Sequence, residues 1–284
     1  MKKSKKIWIA TAIGLVVLGA LISVCALAVT GFNFKLLSTD NYKQNTYTVN
    51  EAFSNIKIGE ISSNVYFEPS ENGECYVLCN ETDKMSHTVE VENETLTIKS
   101  QDLRKWYDLI GITFGETDEV TVYLPQNAYD TLHLEAVSGD IRISKNFSFK
   151  NAEIYTTSGD ISFSANTENA LTLQTVSGNI ELNSIKAENI TAKTTSGDIE
   201  LSNVIAADNI ELKSVSGNVD LDESDANTLW NKTTSGDVEG ELLTSKIFIT
   251  DTTSGDINVP RSATGGNCEV TTTSGNIEFE ISGD

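Results

Sequence analysis

The chain has 284 residues, only three prolines and 39% hydrophobic residues, which is not a disordered composition. Its 41 acidic residues outweigh 20 basic ones, for a formal net charge of −21. That charge excludes nucleic acid and anionic lipid as the main ligand, because both are repelled, and leaves cationic partners, divalent ions or no ligand.

Residues 1–6 form a basic start, with Lys2, Lys3, Lys5 and Lys6 ahead of every acidic residue. Residues 7–29, from Ile7 to Val29, are uncharged. As a helix this run spans roughly 35 Å, enough to cross a bilayer with some tilt. The positive-inside rule then predicts a single-pass cell-membrane protein with a cytoplasmic N-terminus and an extracytoplasmic remainder. A cleaved signal peptide is the alternative, since Ala26-Leu27-Ala28 fits a cleavage site. The apolar stretch is longer than a usual h-region, so the reading is an uncleaved signal anchor. Val24 is a poor residue before a lipidated Cys25.

Residues 30–45 read as a polar tether. Residues 46–135 carry β-like runs of uneven spacing, among them Ile56-Lys57-Ile58, Val65-Tyr66-Phe67, Tyr76-Val77-Leu78, Leu96-Thr97-Ile98 and the run from Val120 to Pro125. Ser62-Ser63-Asn64-Val65 resembles a degenerate form of a corner that recurs further on. This section is predicted to be an N-terminal β cap with degenerate coils, its hairpins covering an open sheet edge. Residues 101–118 interrupt the pattern with Trp106, Tyr107 and Phe114, read as a loop or short helix over the cap, or as an exposed binding loop. Cys75 and Cys79 share a strand face about 13 Å apart and cannot pair with each other. Free buried thiols are expected, with a bridge from either to Cys268 as the alternative. His87 and His133 fit no metal or catalytic motif and are expected at the surface or a strand edge.

Residues 136–284 repeat. Val137-Ser138-Gly139-Asp140-Ile141 returns seven times as Thr/Val-Ser-Gly-Asp/Asn-Ile/Val, with glycines at Gly139, Gly159, Gly178, Gly197, Gly217, Gly236, Gly255 and Gly275. The steps are 19 or 20 residues, which marks a stacked repeat fold. On both sides of the corner the residues alternate, as in Asn209-Ile210-Glu211-Leu212 and Ile199-Glu200-Leu201-Ser202, so each repeat predicts two strands with one face inside. The expected fold is all-β: a parallel β-solenoid (β-helix or β-roll) of 19–20-residue coils behind one transmembrane helix. Gly is read as a structural corner needing φ > 0, with Asp or Asn bonding local backbone N–H groups, and a second corner is expected near Ala187-Glu188 and Ala206-Ala207-Asp208.

The N-terminal anchor, the segment NIKIGEISSNVYFEPS, the strand VTVYLP and the serial Ser-Gly-Asp/Asn-Ile repeats together resemble the bacterial "putative adhesin" family over residues 46–284. The resemblance implies cell-envelope proteins of unknown function, some tied to envelope-stress responses, with no catalytic residues to carry over.

Asp140, Asp160, Asp198, Asp237 and Asp256 are expected on one edge of the stack, with Asn179, Asn218 and Asn276 among them. Stacking sets like residues about 5 Å apart, the separation of a retaining glycosidase pair, but here the acids are the repeat and not an exception to it. They read as structural corners, with calcium-assisted corners as the alternative. Trp230 interrupts the repeat, as a plug in the core or as an exposed platform for a sugar or peptide. Trp106 and Trp230 are the candidate partner contacts. No cofactor is expected. The last coil is predicted to leave an edge guarded by Glu278 and Glu280, open to self-association. The function these features imply is a non-enzymatic adhesion or interaction module that meets an envelope protein or cell-wall component. The alternative is a glycan-active or wall-binding β-helix protein using the surfaces around Trp106, Asp108, Glu116 and Trp230.

Overall fold

The structure, a computed structural model, describes residues 12, 14–19, 22, 24, 28, 42–105 and 118–282. Most of the expected anchor, most of the tether and all of Trp106, Asp108, Phe114 and Glu116 lie outside the described residues. Residues 12, 14–19, 22, 24 and 28 are helical. Among the described residues, no helix is long and apolar enough to cross a membrane.

Alternation builds everything else. In Lys186–Lys193, Ala187, Ile190 and Ala192 are buried, and in Ile199–Ser202, Ile199 and Leu201 are buried. Each regular coil is a long strand, the Ser-Gly-Asp/Asn corner and a short strand. Numbered in chain order, coil 1 is Asn55–Glu60 with Asn64–Pro69, coil 2 is Thr95–Asp102 with Glu119–Leu124, and coil 3 is Ala128–Ala136 with Ile141–Ile143. Coil 4 is Ser148–Tyr155 with Ile161–Phe163, coil 5 is Asn166–Gln174 with Ile180–Asn183, and coil 6 is Lys186–Lys193 with Ile199–Ser202. Coil 7 is Ile205–Lys213 with the first part of Val219–Lys232, and coil 8 is the rest of that strand with Val238–Leu242. Coil 9 is Lys246–Ser254 with Ile257–Asn258, and coil 10 is Gly266–Ser274 with Ile277–Ile281.

Long strands pair with long and short with short, in parallel, like residue on like residue. Ile141, Ile161, Ile180, Ile199, Val219, Val238 and Ile277 thereby form one interior row, each at most 1% exposed. No coil closes a core alone; the row does, so burial accumulates along the axis. A second inner row makes the corner self-consistent. Thr175, Thr194, Ser214 and Thr233 each donate a hydroxyl to the glycine carbonyl of the neighbouring coil, at 3.0–3.3 Å.

The glycines are required by crowding more than by φ. Only Gly139, Gly159 and Gly255 among the corner glycines have left-handed φ, which corrects the expectation of a φ > 0 corner in every coil. Coils stack so closely that a Cβ on Gly197 lands 1.9 Å from the Gly178 carbonyl oxygen. The Asp/Asn row is also an inter-coil device. Each side-chain oxygen accepts the backbone N–H of its counterpart one coil on, as from Asn179 to Asp160 at 2.7 Å and from Asp198 to Asn179 at 2.9 Å. Only an acceptor oxygen is needed, which is why Asp and Asn interchange. Asn64 starts the row by accepting from Asp140 N–H at 2.8 Å. The second bend lies at Ser184, Asn203 and Glu223, with φ of 55, 55 and 45°. Ala187-Glu188 and Ala206-Ala207-Asp208, expected to be that corner, instead fall at irregularities within long strands, between Ala187 and Asn189 and between Ala206 and Asn209.

Spatial order departs from chain order at both ends. Coil 1 lies between coils 2 and 3. Coil 10 lies between coils 8 and 9. The stack therefore runs 2-1-3-4-5-6-7-8-10-9. Glu278 guards no edge, because it is paired on both sides, while Glu280 is paired with Glu241 alone; the terminal coil is coil 9. Electrostatics favours this arrangement. Asn276 accepts from Asp256 N–H at 2.9 Å and separates the Asp237 and Asp256 carboxylates, which chain order would make neighbours. At the other end, Cys75–Glu81 and Met85–Glu92 pair antiparallel with the two strands of coil 2, and Lys43–Val49 pairs antiparallel with Cys75–Glu81. These antiparallel strands cover the edge.

One interior position breaks the aliphatic pattern. Asn231 is 1% exposed, stacked between Leu212 and Val270, and neither of its amide atoms has a hydrogen-bond partner. An unsatisfied buried amide costs about 1–3 kcal/mol. Asn231→Leu is therefore expected to raise stability by about that much in urea denaturation. An unchanged or lowered midpoint contradicts the assignment.

Candidate functional site

The corner acids serve the stack. Asp140, Asp160, Asp198 and Asp237 each give an oxygen to the next coil's backbone N–H, which explains the row without an ion. Trp230 is not a core plug. It points outward and is half-buried between inward-facing Leu229 and Asn231, in register with Glu211 and Glu269. His133 also faces outward, with Glu135 at 3.0 Å and Glu153 at 3.2 Å.

The outer face of the short strands is more distinctive. At the N-terminal end Tyr66, Tyr76, Tyr123 and Arg142 come from four adjacent strands, and alternation turns all four outward. Register sets Tyr76 beside Tyr123, and Tyr66 between Thr121 and Arg142. The Tyr76 and Tyr123 rings stack at 4.5 Å and 12°, and the Arg142 guanidinium lies 5.7 Å from the centre of the Tyr66 ring. With Glu68, Glu71 and Glu119 they line an open groove of about 800 Å³. Burial first, then the charges around it, raise the Tyr123 phenol. Flat ring faces beside carboxylates and a guanidinium suit a sugar ring or an aromatic- and base-containing peptide.

Further along the same face, the position of Arg142 is taken by Ser162, Glu181, Glu200, Asp220, Glu239 and Glu278 in spatial order. Five acids in direct register, one per coil at ~4.8 Å, repel one another. Burial, followed by the Asp222 charge, raises the Asp220 carboxyl. The long-strand face differs, since its outward rows mix Lys193, Lys213 and Lys232 with Glu211 and Glu269. Lys193 and Glu211 pair at 2.7 Å.

A third feature is internal. His87 is buried, against the expectation of a surface or edge position. Its strand lies antiparallel on coil 2, and alternation sends Met85 and His87 inward, where carboxylates receive the imidazole. His87 Nδ1 lies 3.0 Å from Glu81 Oε1, and Nε2 lies 3.4 Å from Glu60 Oε2. Cys79 shares the cluster, and one ligand atom each from Cys79, Glu81 and His87 fall within 4.8 Å of one another. Burial pulls the imidazole down, but the Cys79 thiol and the Glu60 carboxylate outweigh it and hold it up, at about 10. Burial pushes the Cys79 thiol up. Burial also opposes charge on Glu81, yet hydrogen bonds from Asn45, His87 and Tyr47 hold its carboxyl below the usual range. Cys75, Cys79 and Cys268 are free, buried thiols.

The tyrosine groove and the His87 cluster were both missed in the sequence. The tyrosines were visible as outward residues of NVYFEP, CYVLCNE and EVTVYL, but only register makes them neighbours. His87 stands between Ser86 and Thr88, which hides its inward position.

A family model described as Toastrack DUF4097 matches the chain twice, at residues 53–169 and 164–284. Among solved structures, a "Putative lipid binding protein" from Parabacteroides distasonis ATCC 8503 is similar with a TM-score of 0.59 and 18% identity, over 86% of this chain and 98% of that one. A "putative adhesin" from Bacteroides fragilis NCTC 9343 is similar with a TM-score of 0.49 and 16% identity, over 84% and 97%. Another "putative adhesin", from Parabacteroides merdae ATCC 43184, has a TM-score of 0.46 and 10% identity, over 86% and 98%. Only the first of the three supports a shared fold. Among curated proteins, nothing matches.

Proposed function

Because the chain belongs to the Toastrack DUF4097 family, whose model matches residues 53–169 and 164–284, we propose that it is a non-enzymatic interaction module displayed outside the cytoplasmic membrane by its N-terminal apolar segment. The working surface is the outer face of the short strands of a parallel β-solenoid. Its occupant is a cationic, extended segment of an envelope protein. The observation that carries this reading is the in-register row Glu181, Glu200, Asp220, Glu239 and Glu278. Such a row costs stability in the free protein, and a basic partner laid across the coils relieves that cost. The tyrosine groove at one end supplies the aromatic anchor.

Binding of a short oligolysine probe to the full chain in detergent tests the face. The expected result is salt-sensitive binding that weakens at least about tenfold in Glu181→Lys/Glu200→Lys/Glu239→Lys and is unchanged in Thr172→Lys/Thr191→Lys on the opposite face. Equal loss in both variants, or no binding by the native chain, contradicts it.

A second reading rests on the stacked Tyr76–Tyr123 pair, which fits a cell-wall glycan. Binding of a chito-oligosaccharide that is lost in Tyr76→Ala/Tyr123→Ala, with oligolysine binding unaffected, selects it.

A further inference from the structure

Glu60 is a costly side chain in the fold as it stands. Its side chain is fully buried, and neither carboxylate oxygen has a hydrogen-bond partner. His87 Nε2, 3.4 Å away, has none either. A buried carboxylate is normally paired, hydrogen-bonded or bound to a metal. Glu81 is differently placed. Its oxygens take hydrogen bonds from Asn45, from the Tyr47 hydroxyl at 3.0 Å, and from the His87 backbone and Nδ1. Both ring nitrogens of His87 thus face carboxylates, and an ion bound here takes the place of a ring proton, with the Cys79 thiol completing the cluster.

We propose that Cys79, Glu81 and His87, whose ligand atoms already lie within 4.8 Å of one another, hold a divalent transition metal, with the unpartnered Glu60 carboxylate beside His87 Nε2 able to join them. The donor set of one sulfur, one nitrogen and carboxylate oxygen selects zinc over calcium or magnesium, which take oxygen. Binding displaces the thiol proton, and the proton on the ligating imidazole nitrogen, to solvent; no electron is transferred. The strands involved are Asn55–Glu60 of coil 1 and the covering strands Cys75–Glu81 and Met85–Glu92, so the ion ties the cap to the stack. The role is structural and independent of the proposed binding face.

The test is refolding of the full chain in detergent with zinc or cobalt(II), followed by metal content and competition with a chromophoric chelator. The expected result is about one zinc per chain, a cobalt spectrum with a thiolate charge-transfer band, and a higher melting temperature with metal than with chelator. Cys75→Ser and Cys268→Ser keep the band. Cys79→Ser loses it, and Tyr47→Phe weakens affinity by about tenfold. The native cobalt spectrum decides the matter even if a variant fails to fold. No bound metal in the native chain, a cobalt complex without thiolate ligation, or unchanged affinity in folded Cys79→Ser overturns the proposal.

Discussion

Gly197→Ala is expected to cost about 3 kcal/mol or more in urea denaturation, against a typical core overpacking cost of about 1–3 kcal/mol. The added Cβ meets the Gly178 carbonyl oxygen at 1.9 Å and its carbon at 2.5 Å. Both are backbone atoms of the adjacent coil, so no side chain can rotate away. The carbonyl is also committed, because it accepts the Thr194 hydroxyl at 3.0 Å. Relief requires the two coils to separate at the corner, which loosens the parallel pairing of Ile180 with Ile199 beside it. Gly59→Ala is the control. A Cβ there meets nothing within 4 Å, and the change is expected to stay within about 0.5 kcal/mol. Equal effects of the two substitutions contradict the stacking.

Lys246→Met is expected to destabilise by about 3–5 kcal/mol, because it leaves a buried carboxylate without its cation. The Lys246 ammonium, on coil 9, pairs with the Asp225 carboxylate at the start of coil 8, and both side chains are less than a tenth exposed. Coil 10 runs between them, and the residue in register with Lys246 there is Gly266. Glycine at that position leaves room for the pair to meet across the intervening strand. A Cβ on Gly266 would also lie 1.9 Å from the Asn227 carbonyl oxygen. Thr244 accepts a further hydrogen bond from Lys246 at 2.6 Å, and Asp225 accepts from the Ala226 N–H at 2.8 Å. Asp225→Leu/Lys246→Met, which removes both charges, is expected to recover most of the loss. Thermal or urea unfolding of the two single variants and the double reads this out. Losses below about 1 kcal/mol, the size of a surface pair, contradict the buried pair and with it the order 8-10-9.

The repeat was legible because its causes are local. Alternation sets which residues go inside, and the glycine period sets the coil length. The order of coils at the two ends was not legible. Every Ser-Gly-Asp/Asn corner fits any other, so the repeat cannot state which coil follows which. That choice falls to exceptions such as Asp225 with Lys246, and to the interleaving of Asn276 between Asp237 and Asp256. Trp230 misled for a related reason. The polar Asn231 occupies the interior position beside it, so the alternation seemed broken at the tryptophan when it was broken one residue later. His87 needed partners from three strands before its burial made sense. The acidic face needed only register, since Glu181, Glu200, Asp220, Glu239 and Glu278 each follow the corner by two residues.

The binding face is tested most directly by photo-cross-linking in intact host cells, with a photoreactive side chain at Glu200 on the short-strand face or at Thr191 on the long-strand face. The account predicts a defined adduct with a basic segment of an extracytoplasmic protein from position 200, absent from position 191 and lost at high salt. The same adducts from both positions, or none from position 200, would contradict it.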